Sequence, residues 1–163
     1  LAPEKNLAVV ERAYAAIAAR HPRARMIWVG DGPSLPGLRA AHPDHVFAGP
    51  RVGEDLAAHY ASTDLFLFGS LSETWGNVLG EALASGLPVL AYRRAAAEIL
   101  IRNGENGVTV KPDDAEAFTD AALALAGDVA LRQRLGHAGV QSMGEHGWDG
   151  IVERFATVLR ETA

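Results

Sequence analysis

Cysteine is absent from this chain of 163 residues. That excludes disulfides and thiolate metal sites, and it fits a reducing compartment. Long apolar runs are also missing, since no stretch approaches the ~18–20 residues that a membrane-spanning helix requires. The opening LAPEKN carries none of the marks of a secretory leader, so a cytoplasmic location is expected. Positive charge is not in excess: 15 basic against 20 acidic residues leave a net charge of -5, which argues against a general nucleic-acid binder. The six histidines show no metal-ligand spacing, and no metal is expected. Internal repeats and low-complexity tracts are lacking, and the Pro/Gly clusters are too short to be domain linkers. What is present, 48% apolar and 21% charged residues, is the composition of one globular core, and a single domain over 1–163 is expected.

Apolar residues at Leu7, Val10, Ala13, Tyr14, Ile17 and Ala18 follow the spacing of an amphipathic helix over residues 6–20, ended by His21-Pro22. Residues 24–29, apolar but for Arg25, read as a strand covered on both faces. Gly30-Asp31-Gly32-Pro33 is a tight loop, followed by a short helix over 34–41 and a strand over 46–48. The loop Gly49 to Gly53 leads into a helix with Glu54 and Asp55 in its first turn. Strands are expected at 64–68, 88–91 and 108–110. Helices are expected at 95–102, 115–126, 130–143 and 148–160. This alternation predicts an α/β fold, a Rossmann-like, doubly wound parallel sheet whose ligands bind beyond the carboxyl ends of the strands. Three glycine-bearing loops, at 30–33, 49–53 and 69–77, fall on that rim.

The stretch from Gly69 to Tyr92 carries the candidate chemistry. A helix starting at Asn77 or Val78 leaves backbone N–H groups unpaired at a positively polarised end, and Gly76 lets an anion approach the backbone, which suits a phosphate or diphosphate. Glu73 and Glu81, with seven residues between them, would be repelled by that phosphate and more plausibly address hydroxyl groups on either side of it. Hydroxyls flanking a diphosphate describe a nucleotide sugar. Trp75, in the glycine loop, is placed to touch the ligand. Trp28 and Trp148 read as core, and His59 as a helix-surface residue.

SETWGNVLGEALASGLPVLA, residues 72–91, resembles the donor-binding signature of retaining glycosyltransferases with the GT-B fold, the glycogen-synthase-like and mannosyltransferase-like group. EKN at 4–6, VGDGP at 29–33, FAG at 47–49, Glu98 and NGENG at 103–107 agree with it. The resemblance covers the whole chain as the C-terminal, donor-binding half of a GT-B fold with extra C-terminal helices. It implies that Glu73 lies by the donor sugar as the catalytic candidate and that Glu81 holds the ribose hydroxyls. Thr74, Trp75, Gly76, Asn77 and Val78 would form the loop and helix start that meet sugar and diphosphate. Lys5 would neutralise the phosphates, and Arg51 would stand in the loop that touches the base. Gly69 and Gly80 depart from the family pattern, which commonly has Pro and Leu or Val there.

The resemblance further implies a first strand before Leu1 and an N-terminal acceptor domain, neither of which is in this sequence. It implies a UDP- or GDP-linked sugar as substrate with no cofactor, mannose or glucose being the sugar types favoured. A membrane-associated acceptor at the inner face of the membrane would be the partner, and the apolar face of 148–160 would offer a route to self-association. A nucleotide-sugar epimerase and a non-catalytic nucleotide-sugar-binding module are the alternatives. The GEALASG run at 80–86 points away from the epimerase.

Overall fold

Short β-branched and aromatic runs separated by helices build parallel ladders, because each strand must be carried back across the sheet by the helix that follows it. In the computed structural model, which describes residues 1–72 and 77–144, a 3-10 turn (Pro3–Lys5) precedes helix α1 (Leu7–Arg20). Strand β1 (Ile27–Val29), helix α2 (Leu35–Ala41), strand β2 (Val46–Gly49) and helix α3 (Gly53–Ala61) follow. Next come β3 (Phe66–Phe68), α4 (Asn77–Ala84), β4 (Val89–Tyr92), α5 (Ala96–Leu100) and β5 (Val108–Val110). Helices α6 (Ala115–Gly127) and α7 (Val129–Gly144) complete the described chain. Every element expected within these residues forms, β1 and β3 shorter than expected by three and two residues and β2 longer by one; the helix expected at 148–160 lies outside the described residues.

All ladder pairs are parallel, as expected, but they fall in two groups. Strand β1 pairs with β2, and β3, β4 and β5 pair in that order. Among the described residues no ladder joins β1 to β3.

The period-2 alternation of β4 assigns the two faces of the larger sheet. Leu90 and Tyr92 pack with α1 and α6 through Val10, Ala13, Phe118 and Ala122, and Trp28 and Leu38 join the same cluster. Val89 and Ala91 face the other way, against Tyr60 of α3, Leu79 and Leu83 of α4, and Ala97 of α5. All four residues of β4 are buried, as a central strand requires. Helix α7 packs on α4 through small residues. A Cβ at Gly136 would collide with the backbone of Gly86, and one at Gly139 would press on Leu83, so these glycines set how closely the two helices approach.

The NGENG stretch ties this face together. Asn106 is fully buried; its Oδ1 accepts from the Arg102 N–H at 2.7 Å. Its amide nitrogen donates to the Leu100 carbonyl at 3.0 Å and to the Ser142 hydroxyl of α7 at 2.9 Å.

Candidate functional site

The carboxyl ends of β1, β2 and β3 open into the three glycine-bearing loops, and Gly30, Pro50, Arg51 and Gly69 all line one cavity of about 830 Å³. Lys5, Val78 and Glu81 line it as well. Of the residues that the sequence assigns to the donor, four in the described part therefore meet at one cleft, although they come from a 3-10 turn, a loop and a helix far apart in the chain. Asn77 opens α4 beside them. Glu73, Thr74, Trp75 and Gly76 lie outside the described residues.

Glu81 stands one turn into α4, exposed and turned toward the cleft. The Tyr60 hydroxyl at the end of α3 donates to its Oε2 at 3.2 Å. Tyr60 itself is only 8% exposed. Burial pushes its phenol up, and the Glu81 carboxylate pushes it further by its charge and by accepting the hydrogen bond. The phenol thus stays protonated at neutral pH, and it holds one carboxylate oxygen in place as a donor. The arrangement leaves an oriented, acceptor-only group at the mouth of an otherwise largely apolar cleft, which suits recognition of neutral hydroxyls.

Arg51 donates to Asp55 Oδ2 at 3.0 Å and to the Ala48 carbonyl at 2.6 Å. Its guanidinium is thereby tied to its own loop and the start of α3. Arg51 lines the cleft from this loop. Lys5 ends the 3-10 turn, half-buried, and lines the cleft as well. His59 lines the cleft with Nδ1 against the Asp55 carbonyl at 2.7 Å, while Arg93 and Arg94 are exposed and do not line it.

A family model described as Glycosyl transferases group 1 matches residues 1–128. The chain belongs to the group 1 glycosyltransferases. A GDP-mannose-dependent alpha-mannosyltransferase of Mycobacterium tuberculosis is 36% identical over 154 residues, covering 94% of this chain and 39% of that protein. A sulfoquinovosyl transferase of Arabidopsis thaliana is 35% identical over 133 residues, covering 78% of this chain and 26% of that protein. The chain thus spans about a quarter to two fifths of the length of these relatives. Among solved structures, Anabaena HepE in complex with UDP superposes with a TM-score of 0.81 at 22% identity, over 99% of this chain and 46% of that one. Staphylococcus aureus TarM, in a complex that includes UDP, gives 0.84 at 16% identity over 96% of this chain and 33% of that one. These likenesses establish the Rossmann-like C-terminal GT-B architecture expected of this group 1 chain.

Two features of the cleft and its surroundings were not legible in the sequence. Tyr60 reads from sequence as the apolar-stripe partner of Leu56, one helical turn earlier; the only hint of more is that a buried Tyr hydroxyl needs a partner. Gly69, where the family commonly has Pro, has a local reason: a Cβ there would lie 2.5 Å from Val9 Cγ1 and 2.9 Å from the Asn6 carbonyl oxygen. The start of α1 is thereby packed directly onto the end of β3. Gly80 has no such constraint, and α4 forms with it in place.

Proposed function

We propose that this chain is the donor-binding part of a retaining glycosyltransferase that transfers a hexose, of mannose or glucose type, from a UDP- or GDP-linked donor. The observation that carries the proposal is the convergence of Lys5, Arg51, Val78 and Glu81 on the strand-end cleft beside the start of α4. In this reading the amino end of α4 and Lys5 receive the diphosphate, where the helix dipole and the ammonium offset its charge. Glu81 accepts from the ribose hydroxyls, held by Tyr60. The loop of Arg51 borders the base. Glu73 orients the transferred sugar as the catalytic candidate, and Thr74, Trp75, Gly76 and Asn77 enclose it. Stabilising the departing diphosphate at a preorganised positive site lowers the barrier, and no metal ion is assigned a part. The UDP complexes of the HepE and TarM relatives and the GDP-mannose dependence of the mycobacterial relative support a nucleotide-linked donor. The acceptor would be held by a separate N-terminal domain, and contact with a membrane-borne acceptor would place the enzyme at the inner membrane face.

Isothermal titration of UDP-glucose and GDP-mannose into this chain tests the proposal. One of the two should bind. Glu81→Ala should then weaken binding about 10- to 100-fold, the ~1.5–3 kcal/mol of hydrogen bonds to a charged group. Equal affinity in the variant, or no binding of either donor to the parent chain, would overturn it.

A further inference from the structure

Away from the cleft, four elements meet at one cluster of ionisable and aromatic rings. His42 closes α2, its N–H donating to the Leu38 carbonyl at 2.9 Å, and His45 stands one residue before β2. Their imidazoles stack face to face, with centroids 4.4 Å apart and planes 4° from parallel. His42 Nε2 lies 2.6 Å from Oε1 of Glu11 on α1. Trp28 of β1 donates from its indole to His45 Nδ1 at 3.1 Å, and Tyr14 of α1 meets the His45 ring edge-on at 4.9 Å. The two histidines thereby join β1, α2 and β2 to α1, which is itself packed on α6.

These bonds fix where each ring keeps its hydrogen. An ionised carboxylate only accepts, so His42 carries hydrogen on Nε2. An indole N–H only donates, so His45 Nδ1 is bare and its hydrogen sits on Nε2. A further proton then has unlike effects at the two rings. On His42 it enters at Nδ1, leaves the Glu11 bond in place and turns it into an ion pair. On His45 it can enter only at Nδ1, where it takes the lone pair that Trp28 uses. A charge on either ring also opposes a charge on the other across 4.4 Å, in a half-buried setting where water screens less than in bulk. Burial, and then His42, set His45 against taking a proton, and Asp44 in its own turn and Glu11 on α1 offset this in part. Arg39 of α2 lies over the Phe47 ring at 5.3 Å, and β1 and β2 face His45 with the rings of Trp28 and Phe47.

We propose that His45 is an acid-operated latch on the β1–α2–β2 unit. The closed stack accommodates one added proton, on His42. A second breaks the Trp28–His45 bond, turns the His45 ring out of the stack and frees the unit from α1, while the β3–β4–β5 sheet stays folded. Trp28 is only 6% exposed, so an indole N–H that has lost its acceptor finds little water in its place, and the indole must shift to satisfy it. Gly30 and Gly49, bonded to each other at the carboxyl ends of β1 and β2, open the rim loops 30–33 and 49–53, and the unit takes both loops with it. The latch works whatever the cleft binds.

Nuclear magnetic resonance on the 163-residue chain, taken from about pH 7.5 to about pH 5, tests it. The Trp28 indole N–H should exchange slowly at the upper end and lose at least about tenfold in protection toward the lower, in step with the titration of the His45 ring. The Trp28 and Gly30 amides should lose protection with it, while those of Leu90 and Ala91 remain protected and the far-UV circular dichroism is unchanged. In His45→Gln, where an amide oxygen still accepts from the indole and takes no proton, the loss should vanish. In Trp28→Phe, the His45 ring should gain about 3- to 10-fold in proton affinity, because its Nδ1 is released from the bond. An indole N–H that stays protected while His45 titrates would overturn the proposal, as would the same loss in His45→Gln or an unmoved His45 titration in Trp28→Phe. Loss of protection at Leu90 and Ala91 at the same pH as at Trp28 would make the event global unfolding and overturn it equally.

Discussion

At the scale of single residues, the Tyr60–Glu81 pair decides how well the carboxylate is aimed. A phenol donating to a carboxylate makes a charge-assisted hydrogen bond, worth less than the ~1.5–3 kcal/mol of a buried one because Glu81 is exposed, and Tyr60→Phe keeps the ring that packs edge-on to Phe66. The variant should fold, with a loss of stability in urea of no more than about 1 kcal/mol, yet bind the proposed nucleotide-sugar donor about 3- to 10-fold more weakly by calorimetry. A loss of stability with no loss of affinity would mean that the bond serves the fold alone. A second residue, His45, makes the fold sensitive to pH. Trp28 Nε1 donates to its Nδ1 at 3.1 Å, so that nitrogen must be unprotonated, and His42 stacks on it at 4.4 Å. Burial and then the neighbouring His42 hold His45 below the ordinary value of 6.5, while Asp44 and Glu11 pull it partly back. Below that value the unfolded chain binds more protons at this site than the folded chain, so stability falls as pH falls through the window. The urea midpoint should drop as pH falls below the ordinary histidine value of 6.5, and His45→Gln should flatten that part of the curve. An unchanged slope in the variant would assign the dependence to other groups.

At the scale of elements, Asn106 is the polar group on which the α5–β5 connection and α7 depend. Removing its side chain leaves the Arg102 N–H and the Leu100 carbonyl without their partner and the Ser142 hydroxyl short of a donor, all in or near a buried setting. Asn106→Ala should cost about 3 kcal/mol in chemical denaturation, whereas Ser142→Ala, which removes a single shared hydroxyl, should cost about 1 kcal/mol. Equal costs would show that the network is not centred on Asn106. Nothing local announced this role. Two Asn-Gly pairs read as turns, and whether a turn asparagine faces solvent or a helix is fixed by α7, some 36 residues further on. The helices themselves were legible because their period and end signals are local. Lys5, Arg51, Val78 and Glu81 were singled out by an ordered set of motifs, and the parallel fold gathers these four positions at one cleft. Tyr60 was not, since its partner lies on another helix.

For the molecule as a whole, the break between β1 and β3 agrees with the first strand that the resemblance implies before Leu1, but the hydrophobic pattern of the chain does not show it. Hydrophobic patterning reports whether the faces of a strand are covered; it carries no information on whether its edges are paired. The run Leu65 to Phe68 and the run Val89 to Tyr92 look alike in sequence, yet only the second is sealed on both sides. A consequence follows for how the chain opens. The unit β1–α2–β2 reaches the rest of the core mainly through one face, where Trp28, Leu38 and Phe47 meet α1. Strand β4, by contrast, has a ladder on each edge and a buried cluster on each face. Cooperative units bounded by few contacts open at lower free energy than the global transition. In native-state hydrogen exchange under mild denaturant, the β2-facing amides of Trp28 and Gly30 should therefore exchange through an opening well below the global unfolding free energy, while those of Leu90 and Ala91 report the global value. Phe118→Ala, which empties a fully buried site beneath β4, should lower the β4 value by about 3–5 kcal/mol. Because α1 and α6 pack together around that site, it should lower the β1–β2 value by less. If both units opened at one common free energy in the parent chain, the helix α1 contacts alone would suffice to couple the two ladders across the gap.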